Sequence, residues 1–142
     1  MLIDSNILIY AINIASSKHK TAQKFIENTK ENFAIADQNI FETLRIITHP
    51  RFPKPMEPKA AVNVISQLVA SFQIIIPNHK TQFLAFQLID KFEISGIRVF
   101  DAYLVATALS NSIDTIATDN IRDFKKFAGI KIVNPFAAKV TL

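Results

Sequence analysis

The sequence predicts a three-layer α/β/α sandwich with a mainly parallel central sheet, formed by a single domain over residues 1–142. Short apolar runs suited to buried strands alternate with longer stretches of helical period along the whole chain. The 142 residues amount to one domain, and 49% apolar content is ample for its core. No linker, internal repeat or low-complexity segment interrupts the alternation.

Leu2-Ile3 reads as a first strand running straight into Asp4, and Ser5-Asn6 leads to a second apolar run, Ile7 to Tyr10. Lys18 to Lys30 is an amphipathic helix with Ala22, Phe25, Ile26 and Thr29 on one stripe and Lys18, Lys20, Lys24 and Glu27 on the other side. Phe33 to Ala36 is a buried strand, ended by Asp37, which caps a helix over Gln38 to Thr48. That helix places Ile40, Phe41, Leu44 and Ile47 on its apolar stripe. Glu42 falls about half a turn away, beside Gln38, Arg45 and Ile46, a position compatible with a cleft wall or plain surface.

His49 to Pro58 is too rich in proline for helix and displays Arg51 and Lys54. Pro58 suits the first turn of the next helix, which runs to about Phe72 over a core face of Ala61, Val64, Ile65, Leu68, Val69 and Phe72. Ile74 to Ile76 is a strand ended by Pro77. A helix follows over Lys80 to Glu93, with Phe83, Leu84, Phe86, Leu88, Ile89 and Phe92 expected inside and Gly96 marking a stop or turn beyond it. Phe100 to Leu109 is apolar on nearly all sides, so it should be central. Asp114 to Thr118 is a strand, followed by a short basic helix through Lys125, Lys126 and Phe127 that closes at Gly129. Lys131 to Val133 is the last strand, stopped by Asn134-Pro135. The twelve phenylalanines fall mostly on helix core stripes.

Composition removes whole classes of chemistry. The chain has no cysteine, hence no disulfide, thiolate nucleophile or cysteine-based metal site. Its two glycines, Gly96 and Gly129, form no phosphate-cradling loop. His19, His49 and His79 are far apart in loop-like contexts and build no zinc spacing. No apolar run is long enough to span a bilayer, and the N-terminus lacks the basic region of a secretory signal, so a cytoplasmic protein is expected. The net charge of +4 suits a polyanionic partner, although solubility alone also accounts for it. What remains is carboxylate chemistry with a hard metal ion.

The contexts of the twelve acidic residues divide them. Glu27, Glu31, Glu57, Asp90 and Glu93 sit among polar neighbours and read as solvated charges. Asp4, Asp101 and Asp119 instead adjoin strongly apolar segments. Each has an ordinary structural explanation. Asp4 or Ser5 suits a helix cap, Asp101 suits the positive end of a helix dipole, and Asp119 lies between a strand and a helix. Yet Asp101 shares a helical face with Leu104, Val105 and Ala108, so its side chain points inward. Asp4 falls at the carboxyl end of a strand, where open α/β sheets place their sites. Converging carboxylates repel one another and protonate unless a cation joins them, and Mg²⁺ or Mn²⁺ suits such oxygens.

Four stretches in order, Asp4-Ser-Asn6, Phe41-Glu-Thr-Leu-Arg45, Asp101-Ala-Tyr-Leu-Val-Ala106 and Thr118-Asp-Asn-Ile-Arg-Asp-Phe124, resemble a PIN domain. The likeness is to the VapC-type ribonuclease toxins of toxin–antitoxin systems. Thr48-His-Pro-Arg51 and Asn134-Pro135 add to it, and it covers nearly the whole chain. The resemblance implies that Asp4, Glu42 and Asp101 match the family's first three acids and bind Mg²⁺ or Mn²⁺. For the fourth acid it leaves Asp119, Asn120 and Asp123 open, with Asp119 preferred. Asn6 and Thr118 would orient ligands or water. The implied reaction is metal-dependent hydrolysis of RNA without a covalent enzyme intermediate. A cognate antitoxin and a homodimer are implied as partners, and no membrane. Arg51, Lys54, Arg122 and Lys125 are candidate RNA-backbone contacts, together with Lys18, Lys20, Lys24 and Lys126.

Two other readings compete. In a non-catalytic PIN-like module the acids are structural, and RNA or a protein is only held. In a phosphoryl-accepting α/β domain the late strand would end in lysine, but here it ends Thr118-Asp119-Asn120, with Lys125 and Lys126 further on.

Overall fold

β1 (Leu2–Ile3) is apolar at both positions because it is the middle strand of a sheet covered on both faces. The structure is a computed structural model and describes residues 1–29 and 33–137. After β1 come α1 (Ser5–Ile12), α2 (His19–Thr29), β2 (Ala34–Ala36), α3 (Asp37–Ile47), α4 (Pro58–Val69) and β3 (Gln73–Ile75). Then follow α5 (Thr81–Lys91), a 3₁₀ turn over Gly96–Arg98, α6 (Val99–Ser110), β4 (Thr115–Ala117), α7 (Ile121–Phe124) and β5 (Lys131–Val133).

The five strands are all parallel and lie in the order β3-β2-β1-β4-β5. Leu2 pairs with Ala34 on one side and with Ile116 on the other, and Ile3 pairs with Ala117. The chain winds outward from β1 to β3 and then crosses back beyond β1 to β4. That reversal leaves a crevice outside the carboxyl ends of β1 and β4.

Strand alternation divides the core into two layers. Leu2, Ala34, Ala36 and Ile116 face α6 through Ala102, Val105 and Ala108, with Leu88 and Ile89 of α5 packed against the same cluster. Ile3, Ile35 and Ala117 face α1, α2 and α4 through Ile7, Ala22, Leu68 and Val69, with Phe72 beyond α4 completing the layer. A smaller cluster, Ile47, Ala61 and Ile65, joins α3 to α4. The expected sandwich is present, with a sheet that is wholly parallel.

Several expectations are corrected in detail. Asp37 is the first residue of α3 and not its cap; its side chain accepts from Gln38 N, and Ala36 stands at the cap position. α4 ends at Val69, not near Phe72, and β3 starts one residue before the expected strand. His19 opens α2 and is not in a loop. α7 stops at Phe124, short of the lysines that were to make it a basic helix. α5 ends at Lys91, two residues before the expected Glu93, which itself takes the left-handed region at φ 52°; Gly96 opens the turn beyond it, as expected. Phe83 and Phe86 are 66% and 60% exposed, because α5 turns its smaller residues Thr81 and Ala85 inward. Thr81 Oγ1 meets Ser110 Oγ of α6 at 2.7 Å, which keeps those two helices close and leaves the phenyl rings outside. Phe41 and Phe100 are also exposed, so the phenylalanines are not all core residues. Lys30, Glu31 and the side chain of Thr29 lie outside the described residues.

Candidate active site

The crevice forms where pairing runs one residue past the central strands. Asp4 N donates to Ala117 O at 2.9 Å, and Thr118 N donates to Val133 O at 2.9 Å. This carries Asp4 and Thr118 to the rim of the sheet side by side. Asp4 is both a helix cap and a site carboxylate: it precedes α1, and its Oδ1 accepts from Ser5 N at 2.8 Å. Its Oδ2 accepts from Thr118 Oγ1 at 2.7 Å and from Asn6 Nδ2 at 3.3 Å. Asn39 Nδ2 reaches Oδ1 at 3.4 Å. Thr118 Oγ1 also accepts from Asn6 Nδ2 at 3.1 Å and from Asn120 N at 3.0 Å, which fixes its hydroxyl proton toward Asp4.

α3 and α6 rise on either side of this rim. α3 buries Asn39, Thr43 and Ile47; of the expected stripe, Ile47 is buried and Ile40 and Leu44 are half-buried against it, while Phe41 is turned out. The same rotation turns Gln38, Glu42, Arg45 and Ile46 onto the cleft wall. Asp101 lies in the first turn of α6 and faces the same cleft, as does Asp123 of α7. The cavity is about 700 Å³ and open to solvent, enough for a ligand of nucleotide size.

Burial pushes the Asp4 carboxyl up to about 6, and the Glu42 charge adds to the rise; hydrogen bonds from Thr118 and Ser5 oppose it. Asp101 is likewise pushed up to about 6, first by loss of solvent and then by Asp123. The Arg98 charge counteracts this, while Asp4 and Glu42 reinforce it. Arg98, at the end of the 3₁₀ turn, pairs with Asp123 at 2.7 Å and approaches Asp101 at 3.8 Å.

The structure therefore brings Asp4, Glu42, Asp101, Asn6, Asn120 and Asp123 to one cleft, with Thr118 behind Asp4. Asp119 is not among them. Successive strand residues point to opposite faces. Thr118 turns toward Asp4, so Asp119 turns toward the α1–α2 layer. There it pairs with Lys18 and accepts from Tyr10 Oη at 2.9 Å. Burial works against its charge, but Lys18 and Tyr10 hold its carboxyl below the usual range. Its contribution toward the cleft is its backbone: Asp119 N donates to Asn6 Oδ1 at 3.3 Å.

The cations named from the sequence do not line the cleft. Lys18 is engaged by Asp119, Lys126 is half-buried, and Lys20, Lys24, Arg51, Lys54, Arg122 and Lys125 are exposed elsewhere. The cations at the cleft are Arg45 and Arg98. Arg98 was detectable from its spacing three residues before Asp101, a standard helical ion pair. Asn39 has no such signal, because a polar residue is not ordinarily assigned to a buried stripe, and Ser5, a cap candidate in the sequence, instead donates its backbone N–H to Asp4.

The donor set suits a hard divalent cation. It consists of carboxylate oxygens, and the repulsion that raises Asp4 and Asp101 is what such an ion relieves. Among the described residues, however, no three acidic or imidazole side chains stand close enough to hold one ion as placed. The acids share a cleft without closing on a point, and Arg98 stands between two of them.

A PIN domain family model matches residues 1–130, and the chain belongs to that family. It is 29% identical over 144 residues to ribonuclease VapC48 of Mycobacterium tuberculosis, covering 94% of this chain and 96% of that protein. Its fold is similar to that of VapBC2 from Rickettsia felis, crystallised with a promoter DNA fragment (TM-score 0.73, 21% identity, 94% and 96% coverage). A toxin–antitoxin complex from Klebsiella pneumoniae is also similar (TM-score 0.70, 20% identity, 96% and 98% coverage).

Proposed function

We propose that this chain is a metal-dependent endoribonuclease that hydrolyses RNA phosphodiester bonds with Mg²⁺ or Mn²⁺, and that it is the toxin of a toxin–antitoxin pair. The observation that carries this reading is the convergence of Asp4, Glu42, Asp101 and Asp123 on one cleft outside the strand ends. These four would hold the ion. When bound, such an ion supplies positive charge to the phosphodiester and makes water more acidic.

The residues behind the acids prepare them for that role. Thr118 Oγ1, Ser5 N and Asn6 Nδ2 donate to Asp4 and fix its plane, so its oxygens are oriented before any ligand arrives. Arg98 offsets the repulsion between Asp101 and Asp123. Arg45 is an exposed cation on the same wall, able to meet a phosphate of the RNA backbone. Asp123 fits the part of fourth acid better than Asp119, whose carboxylate faces the other layer.

The likeness to a protein named a ribonuclease supports the activity, and the toxin–antitoxin complexes among its structural neighbours support an antitoxin partner. Among the described residues no helix is long and apolar enough to cross a membrane. We assign the activity to the cytoplasm. The exposed Phe83 and Phe86, three residues apart on α5, provide an apolar face for a second copy of the chain in a homodimer.

The alternative, a PIN-like module that binds without cleaving, is favoured by one observation: the acids as placed do not close on an ion. Purified protein incubated with RNA, with and without Mg²⁺ or Mn²⁺, separates the two. Metal-dependent cleavage that is lost in Asp4→Asn and Asp101→Asn supports the nuclease. Metal-independent RNA binding without cleavage supports the module.

A further inference from the structure

Each of the two wall acids is immediately preceded by a phenylalanine that the fold leaves in solvent. Phe41 stands before Glu42 on α3 and is 70% exposed; Phe100 stands before Asp101 on α6 and is 60% exposed. Both line the cleft. One residue along a helix is a rotation of about 100°, so each ring is turned further toward solvent than its acid while both border the same cleft. The two walls are tied together at this level, where Gln38 Nε2 of α3 donates to Phe100 O at 3.1 Å. Arg45 follows Phe41 by one helical turn and also lines the cleft.

An exposed phenyl gains nothing from its own fold. Two of them flanking an acid cluster, with an arginine one turn away, form the combination that holds single-stranded nucleic acid: ring faces for bases and a cation for the backbone. We propose that Phe41 and Phe100 are base platforms: the bases on either side of the scissile phosphate are unstacked and seated on these two rings. This rests on the nuclease reading, since the acids place the phosphate between them. A paired strand keeps its bases stacked on one another and so cannot present them to the rings.

The chain contains no tryptophan, so Phe41→Trp and Phe100→Trp each introduce a single fluorescent reporter. The probes are a short single-stranded RNA pool with a randomised centre and a fully paired RNA of the same length. Rapid mixing in Mg²⁺ should quench both reporters with the single-stranded pool and leave them unchanged with the duplex. Phe41→Ala and Phe100→Ala should each raise KM for the pool by about tenfold, with kcat changed far less and with rescue by tyrosine. Wild-type cleavage with unchanged KM in both alanine variants and no quenching would overturn the platforms and leave the nuclease standing. Quenching without wild-type cleavage would keep the base seat and sink the nuclease. Unchanged KM combined with loss of the dimer or of a co-expressed antitoxin would place the rings in a protein interface and overturn the proposal.

Discussion

Thr118 Oγ1 lies 2.7 Å from Asp4 Oδ2 and donates to it, joining the ends of the two strands at which the sheet reverses direction. The bond spans 114 positions in sequence and belongs to a buried threonine whose oxygen also receives two donors of its own. It is the contact through which the topology of the sheet becomes chemistry at Asp4.

Removing that donor should cost stability and further raise the proton affinity of Asp4. Thr118→Val keeps the shape and deletes a hydrogen bond to a charged group, a loss of about 1–3 kcal/mol near neutral pH. The loss should shrink in acid, where Asp4 is protonated. Urea unfolding in the presence of chelator at both pH values checks this; an equal loss at both would show that the hydroxyl serves packing alone.

The raised carboxyls fix the sign of the pH dependence. Asp4 and Asp101 bind protons more tightly in the fold, at about 6, than in the unfolded chain, at 3.8. The fold therefore disfavours their ionised forms. The stability they contribute is complete below the unfolded value and declines as pH rises through 6. Asp4 dominates, since the Asp101 side chain is 30% exposed and screened by solvent. Metal-free protein should melt at higher temperature near pH 5 than near pH 7.5, and Asp4→Asn should flatten the difference. Added Mg²⁺ should stabilise more at the higher pH. A melting temperature that rises over this interval without metal, carried by these residues, would contradict the assignment.

The end of α5 holds a strained residue that can be relieved. Glu93 N donates to Asp90 O and Ile94 N to Ile89 O, the paired bonds of a left-handed helix stop, with Glu93 at φ 52°. Glycine is the residue that position favours, so Glu93→Gly should stabilise the protein by about 1 kcal/mol, read from thermal unfolding. The residue is exposed and does not line the cleft, so RNA cleavage should not change.

The sequence made some of this legible and hid the rest for identifiable reasons. Strands such as Leu2–Ile3 and Ala34–Ala36 were visible because both sheet faces are covered, which forces continuous apolar runs. Asp4 stood out as a charge between two such runs. Phe41 was misplaced because α3 buries Asn39 and Thr43 in its stead: Asn39 reaches Asp4, and Thr43 Oγ1 is satisfied by Asn39 O at 2.7 Å, so the site displaces hydrophobicity from the inward stripe. Phe83 and Phe86 were misplaced because the close approach of α5 to α6 selects small residues. The fourth acid had a usable signal: strand parity from Ala117, which faces α1 and α2, puts Asp119 on that same side. The pairing of Arg98 with Asp123 and the tie between Gln38 and Phe100 depend on how the elements meet across the cleft, which no local pattern encodes.

The central claim is that the hydrolytic centre consists of Asp4, Glu42, Asp101 and Asp123, with Asp119 a structural acid. Its most direct test is Mn²⁺- or Mg²⁺-dependent RNA cleavage by Asp123→Asn and Asp119→Asn side by side. The geometry predicts that Asp123→Asn loses about a hundredfold or more in kcat, comparable to other losses of charge-stabilising groups, while Asp119→Asn cleaves like wild type after allowance for a modest loss of stability. Loss of cleavage in Asp119→Asn with Asp123→Asn intact would contradict the account and move the fourth acid to the other face of β4.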